Sequence, residues 1–412
     1  MRHKSRRTRI TLLVLSGLFS AFSGIAVAQT NDSGQEVADP SDAQNWSKNW
    51  SESWKDRRTK WSSTKQGLTH WQLSEHTLLT FYGQINIGQL DYYDGFEHHP
   101  EARDNPNSPS RVGLRLETEF DSGKSLFLNI ETAVPKSVFD RFVDNPNDAG
   151  NDNQWDKSML RKAEGRLTIP NVGFFSFGQG SMATDGITGF DFSKTTLVAS
   201  NSVGDTASGF PARFTSGAIT STDISSFYPN YDGARRFRLR YDGLSNKGLS
   251  WAASVGREVL TSGNNNTYTD IAVRYETRWR RFGIKGGLGY SHNDESPDFV
   301  SGSVAGLDSD TGLNFAIAFG ASGSGGKYVY GKLGVIRNFI KPGWTAISVD
   351  YYMSDDPLNI ANGSRSWGLA VVQKMDAYDL ELYATYREYS IDGSPAHFAD
   401  SDAAFVGMRY SW

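Results

Sequence analysis

The chain has no cysteine in its 412 residues, so neither a disulfide framework nor thiol chemistry can support its fold or its work. Long apolar runs are missing too. Apart from the stretch between Ile10 and about Ile25, nothing approaches the roughly 18 apolar residues that a membrane-spanning helix needs. A helical membrane protein is therefore not expected. Hydrophobic residues make up 38% of the chain, which suits many short strands better than one large dry core. Histidine is scarce: His3, His70, His76, His98, His99, His292 and His397 fall in the leader, the N-terminal extension or predicted loops, and none sits on a strand beside a candidate serine nucleophile. Neither an enzyme activity nor a cofactor is expected. The His98–His99 pair could touch a metal, but adjacent histidines in a polar loop are ordinarily solvated, and no metal site is expected. The glycine-rich stretch Gly320–Gly326 lacks the lysine and following helix of a phosphate-binding loop and reads as a turn or loop.

The N-terminus carries Arg2, Lys4, Arg6, Arg7 and Arg9, then the apolar stretch, then Ala26-Val27-Ala28. This pattern predicts a secretory signal peptide over 1–28 with cleavage before Gln29. Its loss removes five of the 42 basic residues and none of the 46 acidic ones, leaving the mature chain with a net charge of −9. Nucleic acid is not expected as a partner. Residues 29–76 form a Trp-rich periplasmic extension. Trp46, Trp50, Trp54, Trp61 and Leu68 fall within about 80° of one another at 100° per residue. As heptads, Trp54, Trp61 and Leu68 share one core position and Trp50 and Trp71 the other. The extension reads either as a helix, in a coiled coil across a trimer or on a membrane surface, or as disordered chain.

From Thr77 to Trp412 the period changes to two. Sixteen candidate strands alternate with short polar turns and longer polar loops. The short turns lie at Asp121–Lys124, Ile169–Gly173, Ser245–Gly248, Arg280–Arg281, Ser309–Gly312, Ile340–Gly343 and Met375–Ala377. Seven tight turns on one side imply eight loops on the other, an even-stranded barrel with both ends on the side of the turns. Individual strands carry two chemistries. Val112, Leu114, Leu116 and Phe120 oppose Arg111, Arg115, Glu117 and Glu119; Phe237, Leu239 and Tyr241 alternate with Arg236, Arg238 and Arg240. Ile271, Val273, Tyr275 and Trp279 alternate with Asp270, Arg274, Glu276 and Arg278. The closing segment, Asp402–Trp412, sets Ala404, Val406, Met408, Tyr410 and Trp412 against Phe405, Gly407, Arg409 and Ser411. Charged rows recurring on strand after strand need a large solvated surface, which a water-filled lumen supplies. Closure removes the sheet edges that hydrocarbon does not tolerate. The expected architecture is an all-β, 16-stranded antiparallel transmembrane barrel over 77–412. Tyr92, Tyr93, Trp279, Tyr290, Trp344, Tyr351 and Trp412 suit interfacial girdles.

The longest internal loop, from about Met182 to Gly233, carries Asp185, Asp191, Asp205, Asp223 and Asp232. A loop of this length is usually functional or disordered. Folded inward, its carboxylates would face the wall arginines across water; lying outside, they would simply be solvated.

Four stretches, Ser110–Glu117, Gly178–Gly186, Asp232–Asp242 and Trp367–Asp376, resemble the trimeric Gram-negative porins, in particular the alphaproteobacterial-type branch. The resemblance covers about Thr77 to Trp412 and leaves the Trp-rich extension outside. It implies an outer-membrane homotrimer, with a pore in each protomer and the third extracellular loop folded inside as a constriction. Carried onto this chain, it implies an acidic loop side at Asp185 and Asp191 and a basic wall at Arg115, Arg166, Arg236, Arg238 and Arg240. The expected function is passive diffusion of small hydrophilic solutes and ions. A substrate-selective channel is one alternative. Another is a structural tether, in which residues 29–76 hold a periplasmic or cell-wall partner and the barrel anchors in outer-membrane lipid. On the diffusion reading, neutral replacements of Arg236, Arg238 and Arg240 shift selectivity toward cations.

Overall fold

The structure, a computed structural model, describes residues 69–134, 155–261, 263–264, 266–355, 361–394 and 397–412. The signal peptide, the tryptophan stripe and the heptads as far as Leu68 lie outside the described residues. The first strands are β1 (His70–Ser74), β2 (Thr77–Tyr93), β3 (His98–Asp104), β4 (Arg111–Glu119), β5 (Ser125–Ala133), β6 (Leu160–Ile169) and β7 (Gly173–Ser181). A small hairpin, β8 (Pro211–Arg213) and β9 (Ile219–Asp223), lies within the long loop. The barrel resumes with β10 (Arg235–Gly243), β11 (Leu249–Arg257), β12 (Thr267–Trp279), β13 (Phe282–Asn293), β14 (Phe299–Asp308) and β15 (Leu313–Ser322). It ends with β16 (Lys327–Ile340), β17 (Gly343–Asp355), β18 (Gly363–Met375), β19 (Leu380–Asp392) and β20 (Ser401–Ser411).

Sixteen of these strands form one closed antiparallel barrel, in which β10 follows β7 directly and β20 pairs back onto β2 from Gln84↔Ser411 to Tyr93↔Asp402. β3 carries the β4 position onward along the other edge of β2. Each of the seven expected short turns separates two strands, including Ser309–Gly312, where Gly312 has φ +71° and a Cβ would strike the Ile336 carbonyl. Only glycine fits such a turn without strain.

Alternation holds through the wall. Leu114, Phe237, Leu239, Ile271, Val273, Trp279 and Met408 are exposed on the outside, whereas Arg238, Arg240, Asp270 and Phe405 are buried inside. Outward aliphatic and aromatic side chains are what hydrocarbon favours. Among the expected girdle residues, Trp279, Tyr290 and Tyr351 are exposed outside, but Tyr92 is buried inside the barrel and Trp344 packs against the interior core. Parity decides this: Tyr92 shares the inward register of Leu90, and Tyr93 next to it points the other way.

The N-terminal boundary differs from the expectation. Trp71, assigned to a heptad, lies on β1, a strand that pairs with Thr77–Thr80 of β2. β2 is longer than β20, so its first residues would present an open edge below Trp412. β1 supplies their hydrogen bonds, as edge pairing in a membrane wall demands.

Two kinds of inward row divide the interior. On β11 to β15 and β17 many inward positions are small: Ala252, Ser254, Ala272, Gly287, Gly289, Ser303, Ala305, Ala316, Ala318, Ala346 and Ser348. The long loop (182–234) occupies the space they leave. Ala183, Ile187 and Phe190 pack on Ala252, Ala272, Ala305 and Ala316. A Cβ at Gly287 would come within 2.7 Å of Ile187 Cδ1. Farther round, Leu197, Val198, Val203, Phe227 and Tyr228 pack with Tyr328, Tyr330, Tyr352 and Tyr389. The loop therefore lies inside the barrel.

Candidate functional site

The inward rows of β4, β5, β6 and β10 are charged, and β7, which lies between β6 and β10, places only glycine and serine in the two levels below. Register places them in levels two residues apart, roughly 7 Å along the strand. Glu131 on β5 faces Lys162 on β6. One level on, Arg115, Asn129, Glu164, Gly178 and Arg238 run across β4, β5, β6, β7 and β10. The next level holds Phe127, Arg166, Ser176 and Arg240. All five arginines expected at the wall belong to this arc or its lip.

Their surroundings differ. Arg115 lies over the Tyr82 ring at 4.8 Å and the Phe127 ring at 5.6 Å. Arg166 shares Phe127 at 5.6 Å and donates from Nε to Ser176 Oγ at 3.3 Å. Flat guanidinium groups stack on aromatic faces in this way. Arg236, at the extracellular lip, pairs with Glu258 at 3.1 Å and lies over Tyr268 at 4.4 Å. Arg238 bonds Glu164 across β7, and also donates to the carbonyls of Gly178 at 2.9 Å and Ser181 at 3.1 Å. Gly180 leaves the lane open, since a Cβ there would meet both Glu164 and Arg238. Arg240 grips Asp242 with two bonds of 2.9 and 2.6 Å and donates to the Met182 carbonyl at 2.8 Å.

Sequence reasoning placed Arg111 and Arg274 on charged rows but missed Glu131, Arg161, Lys162 and Arg235. Glu131 accepts from Arg161 Nε at 2.6 Å and Tyr82 Oη at 3.0 Å, with Arg111 Nε at 3.8 Å. Lys162, Arg235 and Arg274 complete the basic set; Arg274 donates to the Ala183 carbonyl. Lys162, Glu164 and Arg166 alternate in sequence, a signal that could have marked β6 as a charged wall strand.

The loop acids separate. Asp185 lies near the first stem of the loop, where its charge acts on Arg235, Arg240 and Arg274. Asp191 lies elsewhere: its carboxylate accepts from Lys332 Nζ of β16 at 2.7 Å, with both side chains buried. Lys332 also donates to Ser193 Oγ at 3.1 Å and Thr195 Oγ1 at 3.3 Å. The acid beside Asp185 is Asp232, from the second stem, which accepts from the Gly186 and Thr188 amides at 3.0 and 3.2 Å. Burial, and then the Asp185 charge, push the Asp232 carboxyl up to about 7. Asp205, partly exposed on the short turn Val203–Ala207 of the loop, also rises to about 7 through desolvation, with Arg103 opposing the shift. Asp223 caps the turn at Ser225.

Four histidines expected off the strands lie on them: His70 on β1, His98 and His99 on β3, and His292 on β13. The polar segment that holds His98 and His99 is a strand because His98–Asp104 pairs with β2. His98 and His99 contact Asp91 and Asp94 respectively. Among the described residues, no three His, Asp or Glu side chains form a group that could hold a metal.

The expected large extracellular loop thus enters the lumen at the Asp185 stem and then returns to the mouth. There Phe214 bridges Phe398, and Arg213 Nε reaches Asp94 at 3.3 Å.

Solved structures similar to this fold include outer-membrane channels. An anion-selective porin from Comamonas acidovorans aligns with a TM-score of 0.57 at 13% identity, over 82% of this chain and all of that one. Pseudomonas putida OprB gives 0.57 at 9% identity, over 81% and 94%. The channel DcaP of Acinetobacter baumannii gives 0.53 at 12% identity, over 84% and 100%. At these identities the likeness is one of fold. No curated protein matches the sequence. A Gram-negative porin family profile matches residues 12–394. With that match over most of its length and a closed barrel of sixteen strands, the chain belongs to the Gram-negative porins and forms a passive pore in the outer membrane.

Proposed function

We propose that small hydrophilic solutes and ions diffuse through an off-centre passage between the long loop and the arc of β4 to β7 with β10. Asp185, joined by Asp232, forms its acidic side. Arg115, Arg166, Arg236, Arg238 and Arg240 form its basic side. Asp191 serves the anchorage of the loop. A narrow passage with opposite charges on facing walls carries a transverse field, which favours small polar solutes and disfavours bulky apolar ones. Transport is then steric sieving plus this field, with no covalent step. One observation carries the reading: the body of the loop packs against the wall from β11 round to β3, while its stem leaves β7 beside the charged rows of β4, β5, β6 and β10. We further propose that 1–28 is an export signal and that three protomers assemble, each with its own pore.

Planar-bilayer recording of the purified mature chain tests this. Large ohmic conductance steps arriving in groups of three are expected, together with a trimer band on native gels. Solute block of a saturable current would favour a substrate-selective channel instead, and a silent bilayer would leave only an anchoring role.

A further inference from the structure

We infer that Arg238, Arg240 and Arg274 are positioning residues that fix the width of the passage by holding the stem of the long loop, and that Arg238 and Arg240 contribute little to ion selectivity. The inference rests on the pore reading above and assigns these side chains a different part in it.

Three consecutive carbonyls at the exit of β7 are taken by three wall arginines. Ser181 accepts from Arg238 Nε at 3.1 Å, Met182 from Arg240 Nη1 at 2.8 Å, and Ala183 from Arg274. The same turn is tied from its other side, where Ser254 Oγ accepts from the Ala183 amide at 2.8 Å and Asp270 accepts from Thr184. Buried carbonyls need donors, and this turn receives them from β10 and β12. The direction in which the chain leaves the wall is thereby set, and with it the distance of Asp185 from the arc.

The charges of two of these arginines are already matched. The Arg238 and Glu164 side chains are 1% and 7% exposed, and Arg240 is held by both oxygens of Asp242. A matched pair presents a dipole to a passing ion, and its field falls off faster than that of a lone charge. Lysine could not substitute. Arg238 uses Nε, Nη1 and Nη2 on three acceptors in different directions, a fork that a single ammonium does not reproduce.

The two roles differ in sign. If Arg238 acts through the field, Arg238→Gln and Glu164→Gln remove opposite charges and shift the reversal potential under a salt gradient in opposite directions. If it acts as an anchor, both variants loosen the same stem. In planar bilayers, both are then expected to raise single-channel conductance roughly 1.5-fold or more with added open-channel noise, with reversal potentials unchanged or shifted the same way. Arg238→Lys keeps the charge and is expected to match Arg238→Gln. Opposite shifts at unchanged conductance, or wild-type behaviour in Arg238→Lys, would overturn the inference. Should the glutamine variants not assemble, Arg238→Lys and Arg240→Lys make the same distinction. A wild-type chain that forms no channel would overturn the pore reading itself, before any variant is recorded.

Discussion

Asp232 joins the two stems of the loop, and its proton is a variable of the pore. An exposed aspartate titrates at 3.8, whereas this one is raised to about 7 by burial and by Asp185. The folded protein therefore keeps the proton between those two values while an unfolded chain loses it. The sign follows: this group's contribution to stability grows as pH falls through 7 and is lost as pH rises through it. Ionisation above 7 also sets a second negative charge beside Asp185, on the side opposite the arginines. Cation preference is expected to rise between about pH 6 and about pH 8.5, and Asp232→Asn is expected to flatten that rise. A pH ramp of the reversal potential in both proteins checks this; identical ramps would count against it. Asp232 was one of five loop aspartates visible in the sequence. What singles it out is a backbone contact with Gly186 and Thr188, more than 40 residues away.

The long loop is an element with two anchorages, the arginine-held stem and Lys332. The Lys332 ammonium is fully buried and donates to Asp191, Ser193, Thr195 and the Ala199 carbonyl. Lys332→Met leaves Asp191 as a buried charge without its partner, a loss of about 3–5 kcal/mol where no other group compensates. It is expected to lower the unfolding temperature of the detergent-solubilised protein and to add conductance substates; a variant that matches wild type in both would contradict the anchorage. The strands and turns were legible in the sequence because they are local patterns: period-two alternation, and turn residues such as those at Ser309–Gly312. The course of the loop was not. Asp191 and Lys332 are 141 residues apart, and no spacing along the chain announces their meeting. A weaker signal was present. Small inward residues recurring on β11 to β15 and β17 mark the wall against which something must pack.

For the molecule as a whole, closure depends on a mismatch being repaired. β2 outruns β20, and β1 covers the surplus. A chain beginning at Thr77 leaves those backbone groups bare at the rim and is expected to lose several kcal/mol, about 1 for each bond. Lower heat resistance of the folded band on SDS gels, relative to a chain beginning at Gly67, would report it; equal resistance would mean that water or another segment replaces β1. The tryptophan stripe suggested a helix here because Trp71 continues its spacing, but the demand of an open edge overrides that local pattern. The displacement of the passage to one side reaches further. The strands of the barrel do two separate jobs, with one arc bordering the solute and the rest serving as a mould for the loop. Random substitutions scored by nutrient uptake and by protein abundance would therefore trace different segments of a single ring, and changes of permeability could accumulate on a handful of strands while the others stay fixed.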